Sequence, residues 1–352
     1  MTRTINAIVF TQPNEVKLQQ FSLPPCGPSE VICETIYSFV SPGTELRVLS
    51  GAKESQGKFP LIPGYSWVGR VVEVGSDLRG WREGELVSGR NPIPVPGVGF
   101  MWGGQASHHR CVVSGYDAVL KLPVGADPWN YTPTEVAAIS WRGASICYPA
   151  PGETAVVIGQ GLVGAFAAKW LMHHGAKVIV VDRIASRLTR AMAWGASAAV
   201  NASEGDAREQ IMSLVQDGAD IVVEASGSRG GVELARTILR HPAARLHHTN
   251  YPVSQLHSSG HYWPRLVFLA TYLNKLEAFP GDLTGVEGAV VFGPGDRTVG
   301  DRLAVLERIR CGDIPMKDIV DAPTPVAQAP QSYLALRDNP DKYNTMVFDW
   351  RS

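Results

Sequence analysis

The sequence predicts an α/β chain of two domains, one mainly β and one built on a doubly wound parallel sheet. Three observations predict it. The chain has 352 residues, of which 45% are hydrophobic and 18% charged, enough for two cores and too apolar for a disordered chain. Residues 1–150 are rich in β-branched side chains and punctuated by glycine and proline, the pattern of short strands joined by turns. From Pro149-Ala150-Pro151-Gly152 onward, short apolar runs alternate with helical stretches, which implies strand–helix repeats and a parallel sheet covered on both faces.

In the first part, Val31 to Val40 reads as a strand entering a turn at Ser41-Pro42-Gly43. Val68 to Val74, closed by Gly75, and Leu86 to Ser88 read as further strands. Gly89 to Gly104 is a long Pro/Gly loop, of a length that is usually functional or disordered. In the second part, strands are expected at Thr154 to Ile158, Val178 to Val181, Ala198 to Val200 and Ile221 to Glu224. Helices are expected at Ala165 to His174, Ala185 to Trp194 and Val232 to Leu239. A helix from Asp301 to Cys311 and a closing strand from Thr345 to Phe348 return the chain to its first domain. The expected division is residues 1–150 with 295–352, and residues 151–294.

The formal net charge is -1 and no run of five basic residues occurs, so neither nucleic acid nor an anionic membrane is an expected partner. Met1 to Phe10 is too short and polar for a signal peptide. The most apolar stretch, Thr154 to Val181, is broken by glycines, histidines and a lysine, unlike a membrane span. Five cysteines are scattered singly without a C-x-x-C pair, the usage of reduced thiols in the cytoplasm. A small-molecule substrate is the expected partner.

Gly159-Gln160-Gly161-Leu162-Val163-Gly164 is a G-x-G-x-x-G motif that follows an apolar strand and opens an apolar helix. The first glycine permits a tight turn, the second lets the backbone approach a pyrophosphate, and the third lets helix pack on strand. Free N–H groups at that helix start would hold the phosphates. Asp182 ends the next strand eighteen residues after Gly164, where an acid meets the adenine ribose hydroxyls and repels a 2′-phosphate. NAD is therefore expected over NADP. Arg183 argues mildly the other way, since a guanidinium there can neutralise such a phosphate. Arg187 and Tyr251 complete the expected cofactor-binding set.

With these features the chain resembles the medium-chain dehydrogenase/reductase superfamily over nearly its whole length. The resemblance rests on the leading β domain, Pro63 to Gly69, Val71-Val72-Glu73-Val74-Gly75, Trp81-Arg82-Glu83-Gly84-Glu85 and the placement of the Rossmann domain. It implies a GroES-like catalytic domain, a Rossmann domain and a homodimer. Zinc members hold their catalytic metal through a cysteine, a histidine in a Gly-His-Glu element, and a later cysteine or glutamate. Pro42, Tyr65 in Gly64-Tyr65-Ser66, and Ser140 stand at the matching positions, and no cysteine lies in Asn91 to Met101. That is no zinc ligand set, so neither metal is expected. Ser41 to Glu45, Pro63 to Tyr65 and Gly103 to His108 are similar to the zinc-lacking branch that contains bacteriochlorophyllide a dehydrogenase. The pigment substrate is not carried over.

Without a metal, hydrogen-bond donors must polarise the substrate oxygen and handle its proton. Thr44 matches the position whose hydroxyl begins the family's proton relay, and otherwise reads as a turn hydroxyl bonded to local backbone. Tyr65, in place of the zinc histidine, can act as acid/base or oxyanion donor, or simply fill the metal's volume. Glu45 could orient the relay, although a salt bridge to Arg47 or Arg142 is the plainer expectation. His108 and His109 point to opposite faces of a predicted strand, and the branch resemblance favours His108 as the catalytic one. His247 and His248 follow the same logic. Trp67, Trp102, Trp141, Tyr262 and Trp263 read as core or as pocket walls. The functional expectation is zinc-independent, NAD-dependent interconversion of a secondary alcohol and a ketone. Its alternatives are a zinc-free NADPH-dependent enoyl or quinone reductase, or a nucleotide-binding protein that has lost catalysis.

Overall fold

The computed structural model describes residues 2–52, 55–215, 217–240, 263–272 and 289–352. The chain forms two compact units, Met1–Ala138 with Thr298–Ser352, and Ile139–Arg297. The second unit thus begins inside a helix, α2 (Thr134–Ser145), ahead of the Pro/Gly punctuation at Pro149 to Gly152. Among the described residues no helix is long and apolar enough to cross a membrane.

The first unit is mainly β. Strands β1 (Arg3–Gln12) and β2 (Glu15–Leu23) form a hairpin whose turn uses Asn14 at φ 61°, a conformation that asparagine tolerates. They share a sheet with β4 (Leu61–Ile62) and β7 (Gly99–Phe100), in the order β2-β1-β4-β7. The expected loop from Gly89 to Gly104 therefore carries a short strand, recruited by parallel pairing to β4.

A second sheet centres on β3 (Glu30–Phe39). Antiparallel to it run β5 (Trp67–Val74), β8 (His108–Val112) and the closing β17 (Val347–Asp349). β6 (Leu86–Gly89) and β9 (Leu120–Lys121) extend the β5 side, and β16 (Thr324–Pro325) flanks β17.

The turn expected at Ser41-Pro42-Gly43 is instead the start of a helix, α1 (Pro42–Leu49). Proline suits the first helical position, because its fixed φ fits and its missing N–H would have no partner there. Phe10, Val40, Val48, Leu61, Tyr333 and Phe348 belong to one buried core, which joins this helix to α8 (Ala329–Asp338).

The expected helix at Asp301 to Cys311 is α7 (Val299–Arg310), started by a capping box between Thr298 and Asp301. Its Arg302 and the α2 residue Glu135 are both 0% exposed, with Nε donating to Oε1 at 2.6 Å. Removing one partner strands the other charge, so Arg302→Met should cost about 3–5 kcal/mol. Adding Glu135→Leu should recover much of that loss, as read from denaturant midpoints. Equal losses in the single and double variants would contradict this.

The second unit carries a six-stranded parallel sheet. Its strands are β10 (Thr154–Ile158), β11 (Lys177–Asp182), β12 (Ala198–Asn201), β13 (Ile221–Glu224), β14 (Arg265–Phe268) and β15 (Val290–Phe292). The order β12-β11-β10-β13-β14-β15 is the dinucleotide-binding order, reversing beside β10. Helices α3 (Leu162–His173), α4 (Ala185–Ala193), α5 (Ala207–Leu214) and α6 (Arg229–Thr237) connect the strands. α3 starts three residues before the sequence reading placed it, because Gly161 itself is the N-cap.

Candidate active site

In the second unit the three motif glycines differ in what surrounds them. Gly159 has φ +89°, and a Cβ there would lie 2.7 Å from the Ser226 amide nitrogen. A Cβ on Gly164 would sit 1.8 Å from the Gly159 carbonyl oxygen, so only glycine lets α3 pack against the turn. Gly161, the N-cap of α3, has nothing within 4 Å of an added Cβ. That open space lies at the helix start, where unpaired N–H groups and the helix dipole favour an anion. A pyrophosphate fits these residues.

Asp182 closes the loop. Its Oδ2 accepts from the Gln160 amide at 2.5 Å, and its Oδ1 from the amides of Arg183 and Ile184 at 2.8 and 2.9 Å. An ionised carboxylate has about four acceptor directions, so about one is left for a ligand hydroxyl. Arg187 stands 3.9 Å from Oδ2, and Arg183 is exposed. Arg190, which sequence reasoning missed, donates to the Gln160 carbonyl at 2.8 Å. The Gln160 side chain turns inward, its Nε2 donating to the carbonyls of Val157 and Gly159. Leu162 is buried, and Val163 accepts the Ser140 hydroxyl at 2.8 Å. Tyr251, His247, His248 and Tyr262 lie outside the described residues.

In the first unit, antiparallel pairing of Ser38 with Trp67 brings the end of β3 beside the start of β5. The Ser41 Oγ and Tyr65 Oη then lie 2.7 Å apart, and either can be the donor. Ser41 is the N-cap of α1, yet its hydroxyl makes no capping bond and serves Tyr65 instead. The Gly104 amide donates to the Gly64 carbonyl at 2.7 Å, and the Gln105 amide to Pro63 at 3.0 Å. These bonds lay the Gly103-Gly104-Gln105 segment over Pro63-Gly64-Tyr65. Trp102 meets Tyr65 edge-on at 5.6 Å with φ +74°, a conformation bulky residues rarely adopt.

Glu45 is 0% exposed. Its carboxyl accepts from the Ser41 amide at 2.7 Å, Gln105 Nε2 at 3.1 Å and Tyr333 Oη at 2.6 Å. The expected salt bridge to Arg47 or Arg142 is not formed; the carboxyl points into the core, where neutral donors meet it. Burial pushes its pKa up to about 7, against the opposing hydrogen bonds from Tyr333, the Ser41 amide and Gln105. Tyr333, Gln105 and Ser38 were not legible as site residues.

Thr44 is half-buried on α1. Its hydroxyl forms no hydrogen bond among the described residues, so the local backbone bond considered for it is not made. His108 pairs with Glu34 on β3, four residues and roughly 13 Å along the strand from Ser38. Its Nδ1 lies 3.1 Å from the Ser107 hydroxyl, and burial, then the Arg3 charge, lowers its pKa against the opposing charge of Glu34. It stands apart from the Tyr65 group. His109 is buried against Trp67 at 4.3 Å. Trp67 is core and donates to the Arg90 carbonyl.

A zinc ion does not fit the matching positions. Pro42 offers no donor, Tyr65 is engaged with Ser41, and the Ser140 hydroxyl is given to a carbonyl. Among the described residues no three His, Cys, Asp or Glu side chains converge on a metal position.

Residues 163–246 match the family described as zinc-binding dehydrogenase. An L-threonine 3-dehydrogenase of Xanthomonas oryzae is 29% identical over 244 residues, covering 64% of this chain and 71% of that protein. The Thermus sp. ATN1 alcohol dehydrogenase shares the fold at TM-score 0.78 and 22% identity, over 98% of this chain and 99% of its own. A Sinorhizobium meliloti protein solved with NADP shares it at TM-score 0.79 and 20% identity, over 99% of each. Fold, glycine loop and sequence kinship together support the medium-chain dehydrogenase/reductase superfamily of oxidoreductases.

Proposed function

We propose that this protein is a zinc-independent, NAD(H)-dependent oxidoreductase that interconverts a secondary alcohol and a ketone on a small-molecule substrate. One observation carries the reading. Where zinc relatives place metal ligands, a phenol and a serine hydroxyl stand 2.7 Å apart beside Thr44, whose hydroxyl forms no hydrogen bond among the described residues.

The glycine loop at Gly159 to Gly164 would hold the pyrophosphate at the start of α3. The remaining acceptor direction of Asp182 would receive a ribose hydroxyl. The nicotinamide, when bound, gives or takes the hydride. Tyr65 or Thr44 would handle the proton. In reduction one of them donates its proton to the developing alkoxide oxygen and is left as its conjugate base; in oxidation that conjugate base takes the proton of the alcohol. Because either oxygen of the Ser41–Tyr65 pair can donate, the proton can shift along it without a metal. The same hydroxyls would supply oxyanion stabilisation that zinc provides elsewhere.

Arg183 gives the NADP reading its own support, since it is exposed beside Asp182. Parallel fluorescence titrations of metal-stripped protein with NADH and NADPH separate the two. Asp182 predicts at least about tenfold tighter NADH, equivalent to about 1.4 kcal/mol. Tighter NADPH would transfer the determining role to Arg183 and Arg187, and would raise the double-bond reductase. Binding of neither would favour a chain that has lost catalysis.

A further inference from the structure

We propose that Glu45 and Tyr333 are positioning residues for the Tyr65 hydroxyl: the Glu45 carboxyl pins the Ser41 turn that holds the phenol, and Tyr333, from the last helix, holds that carboxyl. The inference rests on Tyr65 serving the reacting oxygen, and it deepens that reading.

The links are all short. Tyr333 Oη meets Glu45 Oε2 at 2.6 Å, Glu45 Oε1 takes the Ser41 amide at 2.7 Å, and Ser41 Oγ meets Tyr65 Oη at 2.7 Å. Gln105 binds the same carboxyl oxygen as Tyr333 and also packs on Gly64, beside Tyr65; a Cβ on Gly64 would lie 2.5 Å from Gln105 Cγ. Ser38 Oγ donates to Gln105 Oε1 at 2.5 Å, and Trp350 Nε1 donates to Ser38 Oγ at 2.8 Å. Two residues near the chain's end thus brace a turn near its beginning.

A carboxyl used only to anchor a helix start would be served by an exposed side chain at little desolvation cost. This one is fully buried, and among the described residues every hydrogen bond its carboxyl makes comes from Ser41, Gln105 or Tyr333. Among the described residues, the groups facing it that can titrate are Tyr333 from α8 and, through Ser41, Tyr65 just before β5, and no cation is among its partners. Ionised, Glu45 accepts all three bonds. Protonated, it can give its hydrogen to the Tyr333 oxygen across the same 2.6 Å. Burial and the neighbouring carboxyl push the Tyr333 pKa up, so the phenol keeps its own proton. Glu45, with its pKa at about 7, changes charge near neutrality two hydrogen bonds from Tyr65. The folded-state value lies above that of an unfolded carboxylate. The stabilising contribution is therefore fully present below the unfolded value and lost as pH rises through about 7.

The test uses the whole protein labelled with 13C at the hydroxyl-bearing ring carbon of tyrosine, the Tyr65 signal being assigned by its loss in Tyr65→Phe. In the wild type that signal should move as pH crosses neutrality. In Glu45→Gln it should stay still. In Tyr333→Phe the midpoint should shift upward, because a hydrogen bond favouring the charged carboxylate is lost. A Tyr65 signal that does not titrate in the wild type, or titrates unchanged in Glu45→Gln, overturns the proposal. So does a fall in Tm in both variants with the titration unmoved, the mark of a structural role alone. The readout needs no substrate, so it can succeed or fail apart from the proposed reaction.

Discussion

Tyr65→Phe is expected to lower kcat by about 100-fold or more, the usual scale for losing a positioned proton donor, while dinucleotide affinity stays within about twofold of wild type. The ring should remain where it is, because the substitution keeps its edge contact with Trp102 at 5.6 Å. What disappears is the oxygen 2.7 Å from Ser41 Oγ. The check is kcat at saturating cofactor, with cofactor Kd measured by nicotinamide fluorescence on the same preparation. Thr44→Ala, made in parallel, separates the two hydroxyls: the one that touches the reacting oxygen should show the larger kcat loss. Unchanged kcat in both would remove the proton path drawn through them.

The second large effect is a contrast between two glycines of one loop. Gly161→Ala should leave stability nearly untouched, since nothing lies within 4 Å of its added Cβ and its φ of -59° suits alanine. Dinucleotide affinity should nonetheless fall by about 10- to 100-fold, about 1.4–2.8 kcal/mol, because the methyl fills the space left for the pyrophosphate. Gly164→Ala should instead fail through the fold. Its Cβ would sit 1.8 Å from the Gly159 carbonyl oxygen, and relieving that backbone clash should cost about 1–3 kcal/mol or more. Thermal unfolding and NADH titration of both variants read the contrast. A Gly161→Ala protein that binds as tightly as wild type would place the phosphates elsewhere.

These two sites differ in how far the sequence alone reveals them. Gly159, Gly161, Gly164 and Asp182 are legible because their roles are local: a turn, a helix start and the end of the next strand, all within 24 residues. Four of the parallel strands, β10 to β13, were legible for the same reason, as apolar runs bounded by glycine, whereas β14 and β15 were not. Ser41-Pro42-Gly43 misled, because proline and glycine serve turns and helix starts alike, and the buried Val48 and Leu49 of α1 are packed by distant chain.

The Tyr65 group was half legible. Thr44, Glu45 and Tyr65 stand out by family position, but their partners do not. Tyr333 lies 288 residues from Glu45 and Gln105 lies 60 from it. Such contacts depend on strand register and on how the last helix packs, and neither is written in local periodicity. The salt bridge expected for Glu45 failed for the same reason: Arg47 is near in sequence, but the groups that meet the carboxyl in space are neutral donors. His108 shows the reverse error of scale, close to Gln105 in sequence yet paired with Glu34 farther down the sheet.

Zinc-independent catalysis is tested most directly by turnover without metal. The protein is stripped with chelator, its zinc content is confirmed by elemental analysis to be negligible, and NADH formation from NAD+ is followed across a series of secondary alcohols. Turnover is expected to survive stripping and not to rise when zinc is returned. Activity that vanishes with the metal and returns with added zinc would contradict it.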